Sequence, residues 1–273
     1  MGFKVLPMSS EKRKIAVVTG ASSGIGAEIA RHLKNETDLE IWLVARRQDR
    51  LDAMAKELEE SGAHTRCLSL DLQDPKSWKQ LEDEVASSGS TVAWLVNNAG
   101  FGYSGLFENE SLESIEGMTS LNVTALSSIT RRLLPYMRAG SHIVNLASSI
   151  SFIPAAGYAV YAGTKAFVLA FSLSLRAELK ERGISVSAVC PGPVATEFFD
   201  LASMDAPPKF LMENPKNTAF LTVEKSTQGK AIIITGFASW SLRLIGALLP
   251  RSWIAALSRK VLKGPKFQRK VSA

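Results

Sequence analysis

Seven short runs of β-branched and aliphatic residues, separated by stretches of helical character, constrain this chain more than any other feature. The runs are Lys14–Thr19, Ile41–Val44, Cys67–Leu70, Val92–Val96, His142–Leu146, Ser185–Val189 and Ala231–Thr235. The helical stretches include Ile25–Lys34, Leu112–Met137 and Tyr158–Lys180. Strands that are apolar throughout have to be covered on both faces, and strands joined through helices run parallel. The pattern therefore predicts an α/β fold, a doubly wound parallel sheet of seven strands in the order 3-2-1-4-5-6-7 with helices on both faces. Right-handed crossovers that reverse after the third strand open a crevice at the carboxyl ends of the strands, where ligands bind in such sheets.

Composition fits one soluble domain. Of 273 residues, 46% are hydrophobic and 21% charged, which supports a substantial core and argues against disorder. Residues 1–240 read as a single catalytic domain and residues 241–273 as a basic extension. The net charge of +6 is uneven, because no Asp or Glu follows Glu224 while ten Lys or Arg do. That asymmetry argues against a nucleic-acid-binding core and for a basic C-terminal surface. Cys67 and Cys190 both fall in strand-like runs, so neither a disulfide framework nor metal-ligand spacing is expected. Met1–Lys14 lacks the pattern of a secretory signal, and no apolar run is long enough to span a bilayer. A cytoplasmic location is expected.

Between the first strand and first helix lies Thr19-Gly20-Ala21-Ser22-Ser23-Gly24-Ile25-Gly26. Backbone amides and the positive end of a helix can hold a pyrophosphate at such a turn. The second strand ends in Ala45-Arg46-Arg47, with no acid to pair with a ribose 2′-hydroxyl. Guanidinium groups suit a 2′-phosphate instead, which points to NADP(H) rather than NAD(H).

Tyr161 and Lys165 are four residues apart and share one face of the stretch Tyr158–Lys180. A lysine ammonium beside a phenol favours phenolate, so Tyr161 is expected to have its pKa lowered and to transfer protons. Ser148 follows the fifth strand, where its hydroxyl can polarise a substrate oxygen, with Ser149 and Ser151 as competitors for that role. Asn122 is flanked by Leu121 and Val123 within a helical segment. A buried amide there needs partners, and a proton-relay water near Lys165 would supply them.

These residues resemble the short-chain dehydrogenase/reductase superfamily, in its compact NADP(H)-preferring type, over about residues 12–236. The matching residues are Thr-Gly-x-x-x-Gly-x-Gly at 19–26, Asn97-Asn98-Ala99-Gly100, Asn122, Ser148, Tyr161-x-x-x-Lys165 and Pro191-Gly192, in the family's order and spacing. The resemblance implies a Rossmann-like fold, with Asn122, Ser148, Tyr161 and Lys165 catalytic. It implies that Gly20, Ser22, Ser23, Gly24, Ile25, Gly26, Arg46 and Arg47 hold the phosphates, and that Asp71 and Leu72 approach the adenine. Asn98, Ala99 and Gly100 would support the cofactor, Lys165 would bind the nicotinamide ribose beside Tyr161, and Pro191, Gly192, Val194 and Thr196 would meet the nicotinamide. A homodimer or homotetramer is also implied.

The function expected is NADP(H)-dependent interconversion of a carbonyl and a secondary alcohol on a hydrophobic small molecule. A non-catalytic NADP(H)-binding regulator is the alternative. Ser239–Lys270 combines Trp240, Leu244, Leu248, Trp253, Ile254 and Leu257 with Arg251, Arg259, Lys260, Lys263, Lys266, Arg269 and Lys270. Such a composition suits a helix lying on a membrane surface, and equally a cap over the crevice or an oligomer contact. Asp205–Asn217, with three prolines, is expected to be a mobile loop beside the site.

Overall fold

The computed structural model describes residues 13–201, 207 and 212–261. Along the chain come β1 (Lys14–Thr19), α1 (Gly24–Leu33), β2 (Leu39–Ala45), α2 (Gln48–Glu60), β3 (His64–Ser69), α3 (Pro75–Ser88), β4 (Thr91–Asn97), α4 (Leu112–Thr119), α5 (Leu126–Leu133), β5 (His142–Leu146), α6 (Ala159–Leu179), β6 (Ser185–Cys190), α7 (Phe198–Leu201), α8 (Pro215–Thr227), β7 (Ile232–Ile234), α9 (Phe237–Leu248) and α10 (Arg251–Val261). All seven strands join one sheet in the order β3-β2-β1-β4-β5-β6-β7, and every pairing is parallel. This is the Rossmann-like, doubly wound sheet expected from the alternation of elements.

Alternation along the strands builds two cores. Ala16, Val18, Ile41, Leu43 and Val96 face one way, against Ile29 and Leu33 of α1, Leu51 and Leu58 of α2 and Ala219 of α8. Ile15, Val17, Trp42, Val44 and Leu95 face the other, against Leu81 and Val85 of α3 and Ile129 and Leu133 of α5. A central parallel strand has no wet side, which is why β1 reads as an unbroken apolar run.

Strand ends differ from expectation by one or two residues at several places, and three departures are larger. β3 starts at His64, three residues early, because this edge strand carries exposed and half-buried polar side chains that an apolar criterion passes over. The segment Leu112–Met137 is helical but passes through a π turn at Ser120–Ala125, which contains Asn122. Within Asp205–Asn217, α8 already begins at Pro215, with Asn214 as its cap. Residues 202–206 and 208–211 lie outside the described residues.

The glycine-rich turn is locked against the end of β4. The Asn98 side-chain amide donates to the carbonyls of Thr19 and Gly20 at 3.0 and 3.2 Å. A Cβ on Gly26 would stand 2.4 Å from that amide and 2.5 Å from the Gly20 carbonyl. Neither neighbour can yield without breaking the lock, so Gly26→Ala is expected to lower stability by about 1–3 kcal/mol, the usual penalty for overpacking. Urea unfolding of the two proteins measures this.

Candidate active site

A crevice of about 640 Å³ follows the carboxyl ends of β1, β2, β4, β5 and β6. One end has the features of a phosphate cradle. Ser23 is the N-cap residue of α1, yet its side chain makes no bond to the first turn, whereas α3 and α8 take side-chain caps from Asp74 and Asn214. The first amides of α1 are thus left without a capping side chain beside the crevice, with the positive end of the helix dipole behind them, as a pyrophosphate requires. Gly20, Ser22, Ser23, Gly24 and Ile25 line the crevice. Gly26 does not, and its place in the motif is explained by packing against Asn98 and Gly20.

Arg46 and Arg47 stand beside this cradle at the end of β2. Arg46 is exposed, while Arg47 donates from Nη2 to the hydroxyls of Ser22 and Ser23 at 3.2 and 3.1 Å. Asp71 and Leu72 line the neighbouring wall, and the Asp71 carboxylate accepts from the Gln73 amide at 3.0 Å. The floor comes from Asn98, Ala99 and Gly100. The Thr19 hydroxyl accepts from the amides of Asn98 and Ala99, each at 3.0 Å. These residues fit a dinucleotide with a 2′-phosphate, since the free helix amides, the serine hydroxyls and the two cations converge on one end of the crevice.

At the other end, the first turns of α6 carry Tyr161 and Lys165. Ser148 and Tyr161 both line the crevice, and Lys165 Nζ lies 5.9 Å from the Tyr161 ring centre. Among the three serines, Ser148 is the one that acts on the Tyr161 phenol, pulling its pKa down. The Ser149 amide donates to the Pro191 carbonyl at 2.7 Å, and the buried Ser151 hydroxyl accepts from the Ser148 amide at 3.2 Å.

Two expectations need correction. Tyr161 is not lowered by its lysine: burial pushes its pKa up to about 12, against a smaller downward pull from Ser148. Lys165, 5% exposed, is brought down to about 8 by burial and donates to the Leu146 carbonyl at 2.8 Å. Desolvation outweighs mutual attraction because both charged forms lose water. Nor does Asn122 depend on water for partners. Its side-chain amine donates to the Phe101 carbonyl at 2.8 Å and to the Thr164 hydroxyl at 3.1 Å, and its oxygen accepts from the Phe101 amide at 3.1 Å. It braces the chain just after Gly100.

Pro191, Gly192, Val194 and Thr196 line the wall after β6. Glu213 holds this turn: its carboxylate accepts from the Gly192 amide at 2.8 Å, and its own amide donates to the Pro193 carbonyl at 2.7 Å. Sequence reasoning missed Glu213, as well as Arg50 and Glu197, which pair at 2.7 Å, and the apolar lining of Ile150, Ile153, Phe198 and Phe199. Arg50 had a readable signal, being one turn beyond Arg46 and Arg47 on α2. Ala238 and Leu242 of α9 also line the crevice, so the expected boundary at 240/241 falls inside a helix that forms part of the wall.

Comparison with known proteins agrees with this geometry. Residues 14–206 match the family described as short chain dehydrogenase. An uncharacterized oxidoreductase of Staphylococcus epidermidis is 34% identical, over 69% of this chain and 81% of its own. The very-long-chain 3-oxoacyl-CoA reductase of Mus musculus is 32% identical, over 86% of this chain and 75% of its own. Among solved structures, a short-chain dehydrogenase from Sphingobium yanoikuyae in complex with NADPH is 33% identical, with a TM-score of 0.76, over 86% of this chain and 92% of that one. The chain belongs to the short-chain dehydrogenase/reductase family, a family of oxidoreductases.

The depressed pKa of Lys165 has a consequence for stability. Between about 8, where the folded chain releases the proton, and the ordinary 10.5, the unfolded chain binds more protons, so this group's contribution to stability rises with pH. Relative to Lys165→Met, the wild type is expected to gain on the order of 1–2 kcal/mol between pH 7 and 9.5, below the range where Tyr161 titrates. Urea midpoints of both proteins across that range measure it, and a difference independent of pH would refute the assignment.

Proposed function

We propose that the chain is an NADP(H)-dependent oxidoreductase that interconverts a carbonyl and a secondary alcohol on a hydrophobic substrate, with Tyr161 as its proton-transfer group. The observation that carries this reading is the Ser148–Tyr161 hydroxyl pair at the crevice wall with Lys165 behind it. A bound NADPH supplies the hydride. The Ser148 hydroxyl donates to the substrate oxygen and fixes its position, which is where preorganised polarity acts on developing charge.

A tyrosine held near 12 is fully protonated at neutral pH, the state needed to protonate an alkoxide formed in the reducing direction. A tyrosine of this pKa remains a stronger acid than an alcohol, so the transfer runs downhill. Lys165 then faces a new phenolate, stabilises it through its ammonium, and returns a proton. Asn122 keeps the Gly100–Phe101 segment in place beside Lys165, and Pro191, Gly192, Val194 and Thr196 shape the wall against the nicotinamide.

The substrate class is supported by the lining and by a relative. Beyond Tyr161 the wall is apolar, from Ile150 and Ile153 to Phe198, Phe199 and Leu242. The mouse relative is named for reducing very-long-chain 3-oxoacyl thioesters. A long-chain ketone, lipid intermediate or steroid fits such a wall better than a small polar aldehyde. In assays of NADPH oxidation against a panel from acetone to long-chain keto-lipids and ketosteroids, turnover is expected on the large apolar members. Tyr161→Phe is expected to lose it by at least about 10²-fold while still binding NADPH. Near-normal turnover in that variant would refute the reading.

The extension from 241 onward has two faces. Inward, Leu242 lines the crevice, Gly246 presses on the Phe152 carbonyl, and Ser258 accepts from the Ala156 amide at 3.0 Å. Outward, Leu248, Trp253 and Leu257, together with Phe237 and Trp240 just before the extension, are exposed, and Arg243, Arg251, Arg259 and Lys260 on the same two helices are exposed as well. Lys263, Lys266, Arg269 and Lys270 lie outside the described residues, among which no helix is long and apolar enough to cross a membrane. Exposed aromatic and aliphatic side chains on helices that also expose cations support peripheral contact with an anionic bilayer. Replacing both Trp240 and Trp253 by Ser is expected to lower the partition constant onto anionic vesicles, read by co-sedimentation, by at least about thirtyfold, at roughly one to two kcal/mol per aromatic group withdrawn from the interface. Undiminished sedimentation would remove this part. On α6, Phe167 and Leu173 are also exposed, which supports a homo-oligomer across that helix.

A further inference from the structure

One acidic side chain at the phosphate end of the crevice belongs, by its place in the chain, to the substrate end. Glu197 immediately precedes α7, whose Phe198 ring lies 5.9 Å from that of Tyr161. Its carboxylate reaches back to the start of α2. Both oxygens accept from Arg50 Nη1 at 2.7 Å, and one accepts from Arg47 Nη1 at 3.2 Å. Arg47 simultaneously donates to Ser22 and Ser23 of the glycine-rich turn. The cation assigned to a 2′-phosphate is therefore already engaged by an anion of its own chain.

Charge and exposure determine what this contact can do. The Arg50 and Arg47 guanidinium groups keep the Glu197 carboxyl below the ordinary carboxylate range, so it is charged at neutral pH. The side chains of Arg47, Arg50 and Glu197 are 34%, 40% and 44% exposed. An ion pair this wet contributes little to stability, and a phosphate, which is a stronger acceptor carrying more charge, can displace it. Arg50 behaves differently, because it holds both carboxylate oxygens and keeps the anion in place when Arg47 turns to another partner.

We propose that Glu197 is a specificity-determining residue of the nucleotide site: its carboxylate competes with a 2′-phosphate for the Arg47 guanidinium and weakens binding of 2′-phosphorylated nucleotides, leaving 2′-hydroxyl nucleotides untouched. The strength of the NADP(H) preference is then set by a three-member cluster, in which Arg47 attracts the phosphate, Glu197 opposes it and Arg50 anchors the opposition. This inference rests on the NADP(H) reading above.

The test is calorimetric titration of the full chain with 2′,5′-ADP and with 5′-AMP, which lacks only the 2′-phosphate; neither needs turnover. Glu197→Gln keeps the size of an exposed side chain, and Glu36→Gln removes an equal charge from an exposed position outside the crevice. The wild type is expected to bind 2′,5′-ADP more tightly than 5′-AMP. Glu197→Gln should tighten 2′,5′-ADP by about threefold, the scale of one exposed ion pair, with 5′-AMP unchanged. Glu36→Gln should change neither, and Arg47→Met should abolish the effect of Glu197→Gln. An unchanged or weaker affinity for 2′,5′-ADP in Glu197→Gln, or an equal gain in Glu36→Gln, would overturn the proposal. A wild type that binds the two nucleotides equally would overturn the NADP(H) reading instead, whatever Glu197→Gln does.

Discussion

The meeting of β1 and β4 at Thr19 and Asn98 is the constraint on which the rest of the site depends. The Thr19 hydroxyl donates to the Val96 carbonyl at 3.1 Å and accepts two amides from the β4 turn. The Asn98 side chain returns two bonds to Thr19 and Gly20. The two neighbouring strands at which the strand order reverses are thereby tied at their carboxyl ends. In a doubly wound sheet the crevice opens at that reversal, where the connections leave in opposite directions, and without the tie its floor would consist of two independent loops. The phosphate cradle is fixed from one side of the tie, and Gly100, next to Asn122 and Lys165, from the other.

Burial sets the chemistry at the far end. Lys165 lies beneath Tyr161 among apolar strand ends, and Cys190, whose thiol burial pushes up to about 12, is a neutral neighbour. A site built this way favours uncharged forms until substrate and cofactor arrive. Its ionisable groups are a protonated phenol and a lysine near its titration point. Such a pair suits proton delivery in the reducing direction, with the lysine close enough to stabilise the phenolate left behind. The phenol needs no strong base beside it for this role, only a lysine that can carry charge when the charge is required.

Local features were legible in the sequence and distant ones were not. Tyr161 and Lys165 follow from a spacing of four on one helix, and the place of the phosphate-binding turn follows from glycines between strand and helix. The strand order follows from alternation and handedness. The residue types alone left Ser149 and Ser151 as competitors of Ser148, because a strand end does not say which hydroxyl faces the crevice; the family's spacing selected Ser148. The bond from Glu197 to Arg47 spans 150 residues, and no periodicity announces such a contact. Asn122 was read correctly as buried, but its partners were not foreseen, since the π turn that turns it toward Phe101 has no sequence signature comparable to a cap. The extension showed its two chemical faces in composition, whereas which face meets the crevice depended on how Gly246 docks against Phe152.

The most direct measurement follows a deuterium label from NADPH carrying it at C4 of the nicotinamide, prepared as each of the two epimers, into a long-chain ketone. If the crevice seats the nicotinamide against a carbonyl held by Ser148 and Tyr161, one epimer alone delivers its deuterium, and mass spectrometry finds a single label on the carbinol carbon. NADPH that binds tightly yet transfers deuterium from neither epimer, to any ketone of the panel, would contradict a catalytic site here and favour a chain that only binds the nucleotide.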